Sequence, residues 1–121
     1  MLFRSNAAEL TARTNDEGWE NVFVKWLNVS NFNKNDMVLV FSVDGGDKKV
    51  SKDIVNALGY AKRNEVKIAG IVGRNGGYTK KVADICILIP NLYPNLVTPI
   101  TETFHNLILH TIVFHPTINV N

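Results

Sequence analysis

Three histidines, one cysteine and two glycine-centred segments are where this sequence could do chemistry. His105, His110 and His115 follow one another at five-residue steps near the C-terminus. On a helix each such step turns the side chain by ~140° beyond a full circle, so the three do not share one metal-binding face. A single imidazole can still move protons near neutral pH. Taken alone, His110 also reads as a histidine packed among Leu107, Leu109 and Val113. Cys86 sits within an apolar run and reads as inert packing. A lone cysteine excludes an internal disulfide and fits a reducing compartment. The glycine-centred segments are Ser42-Val43-Asp44-Gly45-Gly46 and Gly73-Arg74-Asn75-Gly76-Gly77.

The elements that must position these residues follow from hydrophobic spacing. Residues 8–14 read as a short strand with its exit loop. Asn15-Asp16 reads as a helix start, because short polar side chains cap free N–H groups there. Trp19, Val22, Phe23, Trp26 and Leu27 then share one helical face, which reads as core or as an interface with another copy. Met37 to Val43 is a continuous apolar run, expected as a strand covered on both faces. Ser51 is the expected cap of a helix that buries Ile54, Val55, Leu58 and Ala61. Val66–Val72 and Ile85–Ile89 are the next two strands, separated by a loop at 75–77 and a short helix through Lys80–Ala83. Thr98-Pro99 is expected to open a last helix carrying Ile100, Phe104, Leu107, Ile108 and Ile112, ended by Pro116. Apolar strands alternating with helices predict an α/β fold with a parallel, doubly wound sheet of three to four strands. Ligands of such sheets bind beyond the carboxyl ends of the strands. Both glycine-centred segments fall there.

Composition narrows the function classes. The chain has 121 residues, which fits one domain over residues 1–121. It is 45% hydrophobic and 20% charged, too apolar for a disordered chain. The net charge of +2 comes from scattered basic residues, with short pairs at Lys48-Lys49 and Lys80-Lys81. That pattern argues against nucleic acid as a partner. No run is long and apolar enough to span a membrane. The opening Met-Leu-Phe-Arg-Ser-Asn does not read as a signal peptide, so the expected location is cytoplasmic.

In order and spacing, Asn15-Asp16-Glu17-Gly18-Trp19-Glu20, Phe41-Ser42-Val43-Asp44-Gly45-Gly46-Asp47, Gly70–Gly77, Ala83-Asp84, and Glu102 with His110 together resemble the phosphoheptose isomerases. These enzymes are of the sugar isomerase (SIS) superfamily. The resemblance runs from about Ala8 to Pro116. It implies a cytoplasmic domain that binds a phosphorylated sugar, an aldose–ketose isomerisation through an enediol, a homo-oligomer (dimer or tetramer), and zinc as cofactor. It also implies a truncation: the family's first strand, its first phosphate loop and a catalytic glutamate have no counterpart here. The edge of the Met37–Val43 strand is therefore expected to lack its neighbour. Another copy, or the N-terminal segment, is expected to cover it.

The resemblance also assigns residues. Ser42, Asp44, Gly45, Gly46 and Asp47 fall on a phosphate-binding loop that is normally rich in serines. Hydroxyls and free N–H groups at a helix start can hold a phosphate. Asp44 and Asp47 depart from that pattern, because a carboxylate repels phosphate, and Lys48, Lys49 and Lys52 are the available compensation. Asp16 would lie near the sugar, although capping alone also explains it. His110 would be the acid/base and a zinc ligand. Glu102 would be the second metal ligand, standing where the family has glutamine. In the first helical turn its carboxylate also compensates the helix dipole. The expected activity is a sugar-phosphate isomerase-like one, weak or absent in this chain alone. A noncatalytic phosphosugar-binding or regulatory module and a self-associating structural remnant are the alternatives.

Overall fold

The computed structural model describes residues 7–118. Helix α1 spans Ala7–Glu17 and is followed by a 3-10 turn at Trp19–Asn21. Then come α2 (Val22–Val29), β1 (Met37–Ser42), α3 (Lys52–Arg63), β2 (Lys67–Val72), α4 (Gly77–Val82) and β3 (Ile85–Leu88). A second 3-10 turn at Pro94–Leu96 leads into α5 (Val97–Val113).

The three strands are parallel and lie in the order β1-β2-β3. Val40 stands beside Gly70, and Gly70 beside Cys86. A sheet that grows in one direction through right-handed crossovers puts both connecting helices on one face. Val38 and Val40 of β1 and Ile68 of β2 meet Leu58 and Ala61 of α3 and Val82 of α4 on that face, where Val66 also joins the core. Gly70 lets α4 come close, since a Cβ there would overlap the Thr79 methyl. Asp84 ties the start of β3 to β2. Its carboxylate accepts the Ile68 N–H at 2.9 Å and the Lys67 ammonium at 3.2 Å, while its own N–H donates to the Ile68 carbonyl.

Among the described residues the opposite face is covered only at one end. There Thr101 of α5 is buried against Gly73, and His105 meets Phe41 edge-on at 5.4 Å between ring centroids. Met37, Leu39, Ile85 and Ile87 on this face remain exposed. The doubly wound arrangement is therefore lopsided, with two helices on one face and part of one on the other.

Four local expectations change. Residues 8–14 are helical within α1 and do not form a strand. The segment carries alanines, Leu10 and Arg13, all good helix formers, and no strand among the described residues pairs with it. Asn15 and Asp16 lie in the last turn of α1 and so do not cap a helix start; Gly18, at φ 79°, breaks the chain after it. Of the aromatic stripe, Val22 and Trp26 are buried in α2, whereas Trp19 belongs to the 3-10 turn and is exposed. Finally, α5 begins at Val97, with Leu96 in the cap position and Thr98-Pro99 inside its first turn. Proline is tolerated there because first-turn N–H groups have no helical acceptor.

Candidate site at the strand ends

The two glycine-centred segments interlock through backbone. Gly45 (φ 73°) follows the end of β1, and a Cβ there would overlap the Gly76 carbonyl oxygen. A Cβ on Gly77 (φ 52°) would overlap the Asp44 carbonyl. The Gly46 carbonyl accepts the Tyr78 N–H at 2.9 Å. The Gly45 carbonyl accepts both the Thr79 N–H at 2.8 Å and the Thr79 hydroxyl at 2.7 Å. The start of α4 is thus occupied by the protein's own carbonyls.

Side chains complete the junction. The Gly45 N–H donates to Ser42 Oγ at 3.0 Å, so the hydroxyl shapes the turn and its proton is left to donate elsewhere. Asp44 and Arg74 form an ion pair between the loops. Asp47 Oδ1 accepts the Lys49 N–H at 2.8 Å. Both departures from a serine-rich loop are therefore engaged locally, one by a guanidinium and one by an amide. The start of α3 is different. Ser51 occupies its cap position without a side-chain bond, and the first-turn N–H groups of Lys52, Asp53 and Ile54 take no acceptor among the described residues. Lys48 and Lys49 beside it are exposed and make no ion pair among those residues. Lys52 is engaged with Glu20 at 3.1 Å. A helix start with free donors and flanking cations can hold an anion.

The remaining candidates lie elsewhere. Asp16 is exposed at the end of α1. His110 is exposed and stacked on Phe114, with centroids 6.2 Å apart and rings 10° from parallel. Nine residues separate it from Thr101, which puts the two on opposite sides of α5, ~180° apart. Thr101 touches Gly73, so His110 of the same chain points away from the loops. Glu102 is exposed two turns before His110. Among the described residues no three His, Cys, Asp or Glu side chains gather as a metal site.

The sequence reading weighed His105 only as a metal ligand and did not place it in the packing of α5. His105 lies on the sheet side of α5, and its buried Nε2 has no hydrogen-bond partner. Its position four residues after Thr101 would have been the signal, had the buried face of α5 been known. Among the described residues two groups titrate away from their ordinary values. The Ile68 N–H and the Lys67 ammonium hold Asp84 below the usual carboxylate range. Burial pushes the Cys86 thiol up, against the pull of Lys80.

In parallel α/β sheets small ligands bind beyond the carboxyl ends of the strands, where both glycine loops of this chain lie. The chain is similar to known proteins of this architecture. The chain is 34% identical over 112 residues to phosphoheptose isomerase 2 of Campylobacter jejuni, covering 93% of this chain and 51% of that protein. It is 35% identical over 112 residues to the phosphoheptose isomerase of Sulfurimonas denitrificans, covering 93% and 53%. The solved phosphoheptose isomerase of Francisella tularensis superposes with a TM-score of 0.71 at 27% identity, covering 88% of this chain and 54% of that one. No family model matches the chain. Across nine tenths of its length this chain is a homologue of the phosphoheptose isomerases, and it spans about half the length of the curated relatives it matches.

Proposed function

We propose that the chain is a phosphosugar-binding domain of the sugar isomerase type, which takes the phosphate of its ligand at the start of α3. The observation that carries this reading is the uncapped first turn of α3, with free N–H groups at 52–54 beside Lys48 and Lys49, placed beyond the carboxyl end of β1. The homology supports a phosphorylated sugar as the ligand class. Ser42, Asp44, Gly45, Gly46 and Asp47 form the loop that leads to this turn. A cytoplasmic setting is in keeping with the free Cys86 and with the lack, among the described residues, of a helix long and apolar enough to cross a membrane.

Isomerisation through an enediol needs a base to take a carbon-bound proton and an acid to return one. His110 is the candidate the homology offers. In one chain it points away from the loops, so it would serve the site only across a contact with another copy. The same holds for zinc. Glu102 and His110 of one chain, ~12 Å apart along α5, do not fit a metal site by themselves. Zinc would need donors from more than one chain, and no step of this reading passes through it. A single chain therefore binds without turning over, and assembly into a dimer or tetramer is the condition for any isomerase activity.

Amide chemical-shift mapping with a ketose 7-phosphate tests the reading. Shifts concentrated at Gly45–Ile54 support it. Shifts confined to α5 or to the exposed sheet face contradict it.

A further inference from the structure

We infer that Asn75-Gly76 is a latent self-modification site, an asparagine–glycine pair able to close to a succinimide, and that the interlock of the two glycine loops holds it unreactive. The inference needs no ligand and stands apart from the phosphosugar reading.

The chemistry lies within the chain. The Gly76 backbone nitrogen attacks Asn75 Cγ. The N–Cγ bond forms, the Cγ–Nδ2 bond breaks, and ammonia leaves with the proton that Gly76 gives up. Water then adds to either carbonyl of the ring and opens it, giving aspartate or isoaspartate at position 75. No oxidation or reduction takes place, and water is the sole co-reactant. Asparagine is one of the thermolabile residues. A following glycine eases ring closure, because it has no Cβ to obstruct the approach and its backbone turns freely. Of the asparagines in the sequence only Asn75 precedes a glycine. Its side chain is exposed, so water can reach the ring.

The folded loop restrains both reacting groups. The nitrogen must give up its proton and turn toward Cγ. Instead the Gly76 N–H donates to the Gly73 carbonyl at 2.9 Å. The carboxamide must swing over that nitrogen. Instead Asn75 Oδ1 accepts the Gly77 N–H at 3.0 Å, one residue further on. Gly76 is itself buried, at φ 84°. Its carbonyl accepts the Lys80 N–H at 3.0 Å and packs against Gly45. Thr79 fastens Gly45 in turn, since its N–H and its buried hydroxyl both donate to the Gly45 carbonyl. Ring closure therefore requires the junction between the loops to open first.

Both residues of the pair serve the fold. A Cβ at position 76 would overlap the Lys80 side chain, and Asn75 supplies the acceptor for Gly77. The products would undo the junction. Isoaspartate adds a methylene to the backbone between positions 75 and 76, which displaces Gly76 from Gly73 and Gly45. Either product adds a negative charge beside Arg74, the partner of Asp44.

The test is peptide mass mapping of the full chain after warm incubation at mildly alkaline pH, with hydrogen exchange of the Gly76 amide followed on the same samples. Modification through a locally opened state follows the population of that state. Asn75 should convert at least about tenfold more slowly in the folded chain than in urea. Thr79→Val removes one bond to Gly45 with little change of shape. It should raise both Asn75 conversion and Gly76 exchange about tenfold, while circular dichroism stays native. Equal rates in the folded chain and in urea, or no conversion in urea, would overturn the inference. So would a Thr79→Val chain in which Asn75 converts no faster than in the parent.

Discussion

The Asp44 carboxylate and the Arg74 guanidinium form an ion pair that joins the loop after β1 to the loop after β2. It answers the objection that an acid in this loop should repel a phosphate, because Asp44 is already neutralised. Both side chains are about half exposed, so solvent screens the pair and its worth to stability is small, below ~1 kcal/mol. Its effect on an anion nearby should be larger. Arg74→Ala should weaken phosphosugar binding about tenfold with little change in unfolding midpoint. Asp44→Ser in the same chain should restore the affinity. Calorimetry on the single and double variants checks this.

Gly45 and Gly18 both have positive φ, but only Gly45 is enclosed. Gly45→Ala would drive a Cβ into the Gly76 carbonyl and push the loops apart. It should cost ~3 kcal/mol or more, a magnitude typical of backbone strain combined with overpacking. Gly18→Ala meets nothing within reach and should cost only about 1 kcal/mol for its backbone conformation. Urea denaturation of the two variants measures the difference.

Asp84 binds its proton less readily in the folded chain than in the unfolded one. Its contribution to stability is therefore present above the unfolded pKa of ~3.9 and is lost as pH falls through the lower folded value. Asp84→Asn should be less stable than the parent at pH 7. The gap should close as the medium becomes more acid than the ordinary carboxylate range. Denaturation at a series of pH values follows the gap. One that is constant with pH would show that the carboxylate charge plays no part.

His105 keeps a buried nitrogen without a partner beside Phe41. Replacing an unsatisfied buried polar group with an apolar one of similar shape is neutral or stabilising. His105→Phe should therefore hold or raise the melting temperature. Exposed His110 is a useful contrast, and His110→Ala should leave stability within about 0.5 kcal/mol.

The three strands and α3 were legible because their apolar runs and helical spacing are unambiguous. Leu58 and Ala61 were read as buried, and they are. The loops at 42–46 and 73–77 were legible as strand ends. Their interlock was not, since it depends on which glycine meets which carbonyl across the sheet. Residues 8–14 were misread as a strand against their helix propensity. Among the described residues no strand pairs with that segment to overrule its alanines, Leu10 and Arg13. The buried side of α5 was hidden for a related reason. Phe104, Leu107 and Leu109 look like core but remain exposed, while Thr101 and His105 make the contacts. With so little of the sheet face covered, hydrophobicity is a poor guide to which side of α5 packs.

The central claim, an anion site at the start of α3, is tested most directly by isothermal calorimetry of the full chain with sedoheptulose 7-phosphate. The account predicts saturable binding that inorganic phosphate competes away, abolished in Lys48→Glu/Lys49→Glu and unchanged in His110→Ala. A folded protein that gives no binding heat, or one whose binding is lost in His110→Ala and kept in the lysine variant, would contradict it.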